Sequence, residues 1–341
     1  MSVRTRADLE QLPAYVAGRT VPGSIKLASN EVSEGPLPAA VQAVNQAAAE
    51  IHRYPDMGVG KLTEALAQLV GEPDEAARVA LGQQLVQATC TPDDEVIFPW
   101  RSFEAYPIIT QVVGAKQVKV PLTAGHELDL DAMAAAITPA TRMIFVCTPN
   151  NPTGTSLRRE DLESFLDRVP EDVLVVLDEA YFEFVTDPDA PDGAEITKRR
   201  ANVTALRTFS KAYGMAGLRA GYAVGPENVV AALRKVYIPF SVNSLAQVAA
   251  LASLQAQEEL RERCANVVSE RERVHRELTA LGYEVPESQA NFVWLPLGER
   301  TPAFNEHCLQ NKVVVRAFGE EGARVTIGQP EENDAFLAAA R

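Results

Sequence analysis

Short apolar runs bounded by turn residues alternate along the chain with segments whose apolar residues recur at helical spacing, the pattern of an α/β fold. The runs predict strands over 95–98, 117–120, 143–147, 173–177, 203–206 and 221–224. Two of them, Met-Ile-Phe-Val-Cys and Leu-Val-Val-Leu, are apolar throughout, as strands buried on both faces of a mainly parallel sheet must be. Helical composition or spacing marks 38–50, 60–70, 161–169 and 227–236. From about Leu245 the character changes. One long helix dense in Glu and Arg is predicted to run to about Leu281, followed by strands over 292–295, 313–316 and 325–327 with helices between and after them. The expected organisation is an arm over 1–27 rich in Pro, Gly and polar residues, a large α/β domain over 28–242, and a smaller C-terminal α/β domain over 243–341.

Composition narrows the function classes. A formal charge of −14 weighs against nucleic acid, which needs a basic face. The four cysteines lie far apart without C-x-x-C or metal-ligand spacing, so no metal site is expected and reduced thiols are. The polar opening residues lack the apolar core of a signal peptide, and no run approaches the length of a membrane span. The expectation is a cytoplasmic protein that binds neither membrane nor nucleic acid.

Candidate chemistry gathers where predicted strands end, the place at which open α/β sheets bind ligands. The strand at 173–177 runs into Asp178-Glu179-Ala180-Tyr181, and that at 143–147 into Pro149-Asn150-Asn151-Pro152-Thr153-Gly154. The strand at 203–206 runs into Thr208-Phe209-Ser210-Lys211, with Arg219 eight residues past the lysine. A lysine amine can condense with a carbonyl cofactor, and hydroxyls beside a guanidinium suit a phosphate. Taken singly these residues admit plainer readings. Lys211 could be a solvated surface lysine, Asp178 a helix cap, Asn151 an Asn-Pro turn and Phe103 a core side chain.

Together the motifs S-K-A-Y-G-M-A-G-L-R, P-N-N-P-T-G and L-D-E-A-Y resemble those of fold-type I aminotransferases that use pyridoxal 5'-phosphate (PLP). Within these the chain is most similar to the histidinol-phosphate aminotransferase group. The segment W-R-S-F-E-A-Y-P at 100–107 resembles the actinobacterial aromatic amino acid aminotransferase branch of that group. The resemblance runs from Lys26-Leu27-Ala28-Ser29-Asn30-Glu31 to the C-terminal Arg-Val-Thr-Ile-Gly.

The resemblance implies roles. Lys211 would carry PLP and shuttle the proton, Asp178 would pair with the pyridine nitrogen, and Tyr181 and Asn151 would bond its phenolic oxygen. Thr208, Ser210 and Arg219 match phosphate-binding positions, and Phe103 a ring stacked on the pyridine. Tyr54 matches a tyrosine reaching the phosphate from a neighbouring subunit, which implies a homodimer with shared sites and an arm packed on the small domain or the partner. Arg324, with Arg316 as a second cation, would hold the substrate carboxylate, and Tyr15 and Asn30 resemble substrate contacts. The implied reaction is a two-stage transfer from phenylalanine, tyrosine or tryptophan to a 2-oxo acid, 2-oxoglutarate being the expected acceptor. Trp100, Tyr106, Tyr213, Tyr237 and Phe240 offer further aromatic surface for such a pocket.

One element of the pattern is missing. A Gly- and Ser-rich turn that wraps the phosphate with backbone N–H groups is expected between Val79-Ala80 and Gln83, where this chain has only Leu81-Gly82. Histidinol phosphate as substrate, a lyase or decarboxylase on the same fold, and a pseudoenzyme poor in cofactor therefore stand beside the first reading.

Overall fold

The computed structural model describes residues 6–8, 12, 18–71, 77–79 and 82–341, so Tyr15 and the Ala80-Leu81 step of the shortened turn lie outside the described residues. The strands are β1 (Ile25–Lys26), β2 (Ala77–Val79), β3 (Glu95–Trp100), β4 (Lys116–Pro121), β5 (Thr141–Cys147), β6 (Leu174–Asp178), β7 (Val203–Thr208), β8 (Gly221–Val224), β9 (Phe292–Leu295), β10 (Val313–Val314), β11 (Arg316–Phe318) and β12 (Gly322–Thr326). The first helices are α1 (Pro38–Ala47), α2 (Gly60–Val70), α3 (Gly82–Thr89), α4 (Ala105–Val113), α5 (Leu130–Ala135), α6 (Arg159–Leu166), α7 (Gly193–Thr197) and α8 (Glu227–Val236). Then follow α9 (Ser244–Gln255), α10 (Gln257–Ala280), α11 (Thr301–Gln310) and α12 (Pro330–Ala339).

Seven strands form the central sheet in the order β2-β8-β7-β6-β5-β3-β4. Strands β3 to β7 run parallel to their neighbours, while β8 and β2 join antiparallel at one edge. Alternation along β5 explains its apolar run. Met143, Phe145 and Cys147 pack with Leu85, Tyr106 and Leu233 of α3, α4 and α8, whereas Ile144 and Val146 pack with Met133, Phe165 and Ile196 of α5, α6 and α7. Full burial of each such large side chain contributes roughly 1.5–3 kcal/mol.

A second, three-stranded sheet has the antiparallel order β11-β12-β9. The early chain is tied to it: β1 pairs in parallel with β10, and Leu27 donates to Val314 O at 2.8 Å and accepts from Thr326 N at 2.9 Å.

Two expectations are corrected. The strand predicted over 313–316 is split, because Val313–Val314 pairs with β1 while Arg316–Phe318 joins β12. The single long helix is two, broken at Ala256 (φ −101, ψ 44). The alanine-rich α9 packs on α1 and α2, while α10 continues toward α12 and β9. No Gly or Pro marks the break, so packing alone sets it. The elements β2 and α5 are too short, and α4 too uniformly apolar, for periodicity to reveal.

Candidate active site

The parallel strands deliver their C-terminal ends to one cavity of about 520 Å³. Asp178 closes β6, Thr208 closes β7, Asn151 follows β5 and Phe103 follows β3. Lys211, Ser210, Arg219, Tyr181, Asn30, Arg316 and Arg324 also line the cavity. The structure thus gathers the predicted residues with two exceptions: Tyr54 is not part of this lining, and Tyr15 is undescribed.

Asp178 is buried, and burial raises its carboxyl pKa, opposed by a hydrogen bond from Tyr106 and the nearby Lys211 charge. The Tyr106 hydroxyl donates to Asp178 Oδ2 at 2.6 Å, and its ring stacks on Phe145 at 4.4 Å between centroids. Tyr106 entered the sequence reading only as aromatic surface, so this contact is a residue role that the motifs did not reveal.

Burial also acts on Lys211, lowering its pKa to about 8 with help from the positive charges of Arg324 and Arg219. Its Nζ donates to Ser29 O at 3.2 Å. A depressed amine pKa leaves a substantial neutral fraction near pH 8, the form that can act as nucleophile or base.

Tyr181 and Asn151 both retain a donor. The Tyr181 oxygen accepts from Asn30 Nδ2 at 2.9 Å, so its own O–H proton is left to give. Asn151 Oδ1 accepts from a guanidinium nitrogen of Arg324, and because a guanidinium only donates, the Asn151 amide keeps its NH2 for an acceptor. Asn30, predicted as a substrate contact, instead spends its side chain on Tyr181 and on Thr326, whose hydroxyl donates to Asn30 Oδ1 at 3.1 Å.

The loop that carries Asn151 is braced by its neighbour. Asn150 accepts from Ser102 Oγ at 2.7 Å and donates to Thr153 Oγ1 at 2.9 Å. The other end of the cavity is built for an anion. Thr208 Oγ1 accepts from Ser210 N at 3.1 Å, and Arg219 reaches Ser210 Oγ at 3.4 Å. Gly82 and Gln83, the first residues of α3, line the same cavity, which brings a helix N-terminus to it in place of the longer turn.

At the mouth, Arg316 and Arg324 are cross-strand partners on β11 and β12. Arg324 donates to Ala28 O at 2.9 Å and to Asn151, while Arg316 pairs with Glu104 at 2.8 Å.

The chain matches the family described as "Aminotransferase class I and II" over residues 22–339. It belongs to that family. This chain is therefore an aminotransferase of the α/β fold-type I class, and the family is PLP-dependent. Among curated proteins, it is similar to the aromatic amino acid aminotransferase of Rhodococcus jostii, with 59% identity over 99% of this chain and 95% of the relative. It is 57% identical to the protein of the same name from Nocardia farcinica, over 99% of this chain and 96% of the relative. Among solved structures, it resembles histidinol-phosphate aminotransferase from Sinorhizobium meliloti in complex with PLP (26% identity, TM-score 0.91, covering 100% of this chain and 97% of that one). Among the described residues, no helix of this aminotransferase is long and apolar enough to cross a membrane.

The residues present fit PLP group by group. A buried carboxylate can face its ring nitrogen, two residual donors its phenolic oxygen, a lysine of depressed pKa its aldehyde, and a guanidinium with hydroxyls its phosphate.

Proposed function

We propose that the chain transaminates aromatic amino acids, with 2-oxoglutarate as amino acceptor, as a cytoplasmic homodimer. The observation that carries the substrate reading is that relatives named aromatic amino acid aminotransferase are 54–59% identical over 98–100% of this chain. The cavity supports it. Phe103 and Phe318 line it beside Arg324, offering ring surface next to a carboxylate anchor.

PLP, when bound, supplies an electron-withdrawing ring that stabilises negative charge developing on the substrate α-carbon. Lys211 Nζ would hold the cofactor and, once released, take the α-proton and return it one step later. Asp178, kept anionic by the Tyr106 hydroxyl and the neighbouring positive charge, would hold the ring nitrogen protonated. Tyr181 and Asn151 would give their residual hydrogen bonds to the phenolic oxygen. Thr208, Ser210 and Arg219 would hold the phosphate, and Arg324 would orient the substrate carboxylate. We further propose two lobes divided near residue 242, with the N-terminal arm attached to the smaller one. That division is supported by the pairing of β1 with β10.

The test is turnover together with absorption. Purified protein supplied with PLP should show a visible band that shifts when phenylalanine is added, and Lys211→Ala should lack it. Phenylalanine and 2-oxoglutarate should give phenylpyruvate and glutamate with ping-pong kinetics. Turnover of histidinol phosphate without phenylalanine activity would replace the aromatic reading, and failure to bind excess PLP would replace the enzymatic one.

A further inference from the structure

Glu104 stands at the start of α4, where an acidic side chain often caps the helix, yet it makes no capping bond. Its carboxylate turns instead across the cavity mouth to Arg316, 2.8 Å away and contributed by the smaller sheet. The pair is largely shielded, with 16% of the Arg316 and 31% of the Glu104 side chain exposed, so it is stronger than a solvated surface pair. Both residues line the cavity. Arg101 lies 3.9 Å from Glu104 and forms its own pair with Glu321, so the rim holds two cations and two anions. Arg316 further packs over the Phe318 ring at 5.4 Å.

We propose that Glu104 is a specificity-determining residue that occupies Arg316 and thereby sets a cost on anionic substrate tails. The inference takes the cavity as the amino acid and oxo acid site proposed above. A substrate with an uncharged ring leaves the Glu104–Arg316 pair intact and lies against Phe103 and Phe318. A substrate ending in a carboxylate or phosphate must displace Glu104 to reach Arg316, and then meets the displaced carboxylate as a like charge. Breaking one charged hydrogen bond corresponds to a loss of roughly tenfold to a hundredfold in affinity.

Two unreactive acids read this cost without chemistry: 3-phenylpropanoate carries a ring, and glutarate a second carboxylate. Calorimetric titration of the holoenzyme with each should show glutarate binding about tenfold more tightly to Glu104→Gln than to the parent, with 3-phenylpropanoate changing by less than about threefold. Glu104→Ser should repeat the gain by a second route. The kinetic counterpart is a lower KM for 2-oxoglutarate and a higher kcat/KM for histidinol phosphate in Glu104→Gln. The gain should vanish when Arg316→Gln is added. Unchanged glutarate affinity in both Glu104 variants overturns the proposal, and so does a gain that survives loss of Arg316. A parent that fails to turn over phenylalanine while Glu104→Gln still gains glutarate affinity removes the aromatic reading and leaves this one standing.

Discussion

The Tyr106 hydroxyl donates to Asp178 Oδ2 at 2.6 Å, fixing the carboxylate at the end of β6 from a helix that begins beyond the neighbouring strand. Burial alone pushes Asp178 toward its neutral form, and the Tyr106 bond is the largest influence opposing that shift. Tyr106→Phe keeps the ring stacked on Phe145 and removes only the donor. A hydrogen bond to a charged group is worth about 1.5–3 kcal/mol, so kcat for phenylalanine should fall about tenfold or more while thermal stability changes little. An unchanged kcat, with an unchanged acid limb in its pH profile, would show that Asp178 needs no help from this hydroxyl.

Lys211 gives the cofactor-free protein a specific pH dependence. Its pKa in the folded state is about 8, below the ordinary lysine value of 10.5. Between those limits the unfolded chain binds more protons than the folded one, so stability rises with pH there, and below pH 8 the burial penalty is fully present. Lys211→Met removes the group. The variant without cofactor should be more stable than the parent at pH 7 by about 1–3 kcal/mol, and the gap should close by about pH 10. Denaturant titrations across that range measure it, and a gap that widens with pH contradicts the assignment. The same variant should be inactive with phenylalanine.

The chemistry of the site was legible wherever it is local. Lys211, Asp178, Tyr181 and Asn151 sit in short motifs just past apolar runs, and strands β5 to β8 stand within a few residues of their predicted places. What the sequence hid are contacts across distance. Tyr106 and Asp178 are 72 positions apart, Asn30 and Tyr181 are 151 apart, and Glu104 and Arg316 are 212 apart. No periodicity links such positions; only the order of strands and the antiparallel register of β11 and β12 brings them together. The break at Ala256 was hidden for a related reason, since both halves favour helix and only their packing partners differ.

Gly154, the last residue of P-N-N-P-T-G, holds the loop that presents Asn151. Its φ is +79, and a β-carbon there would come within 2.7 Å of Ser288 Cβ and 3.2 Å of Ser288 Cα. Neither neighbour can yield easily. Ser288 is buried and donates to Phe292 O at 2.6 Å, while Gly154 O accepts from Gln289 N at 2.8 Å. Gly154→Ala therefore combines backbone strain with overpacking and should cost about 2–4 kcal/mol. Thermal denaturation checks the cost, and a variant as stable as the parent would mean that the loop shifts freely. Because the displaced loop carries Asn151, kcat should fall further than stability alone explains.

Tyr54 bears on the proposed dimer. Its side chain is 82% exposed and stacks on Phe240 at 4.6 Å, with Ile51, Met57 and Ile238 also exposed. A stacked, solvent-facing aromatic pair among other exposed apolar side chains is the composition of an interface core. In a homodimer these side chains would be covered, and Tyr54 would be available to a neighbouring cavity, consistent with its absence from the lining of its own. Ile238→Asp places a charge on that surface without touching the cavity and should shift the protein from dimer to monomer in sedimentation velocity at micromolar concentration. Tyr54→Phe should leave the dimer intact but weaken PLP binding by about tenfold, the value of one charged hydrogen bond. The two variants separate assembly from cofactor binding. A parent that sediments as a monomer while retaining PLP would remove the dimer, and Tyr54→Phe binding PLP as the parent does would remove the shared site while leaving the dimer in place.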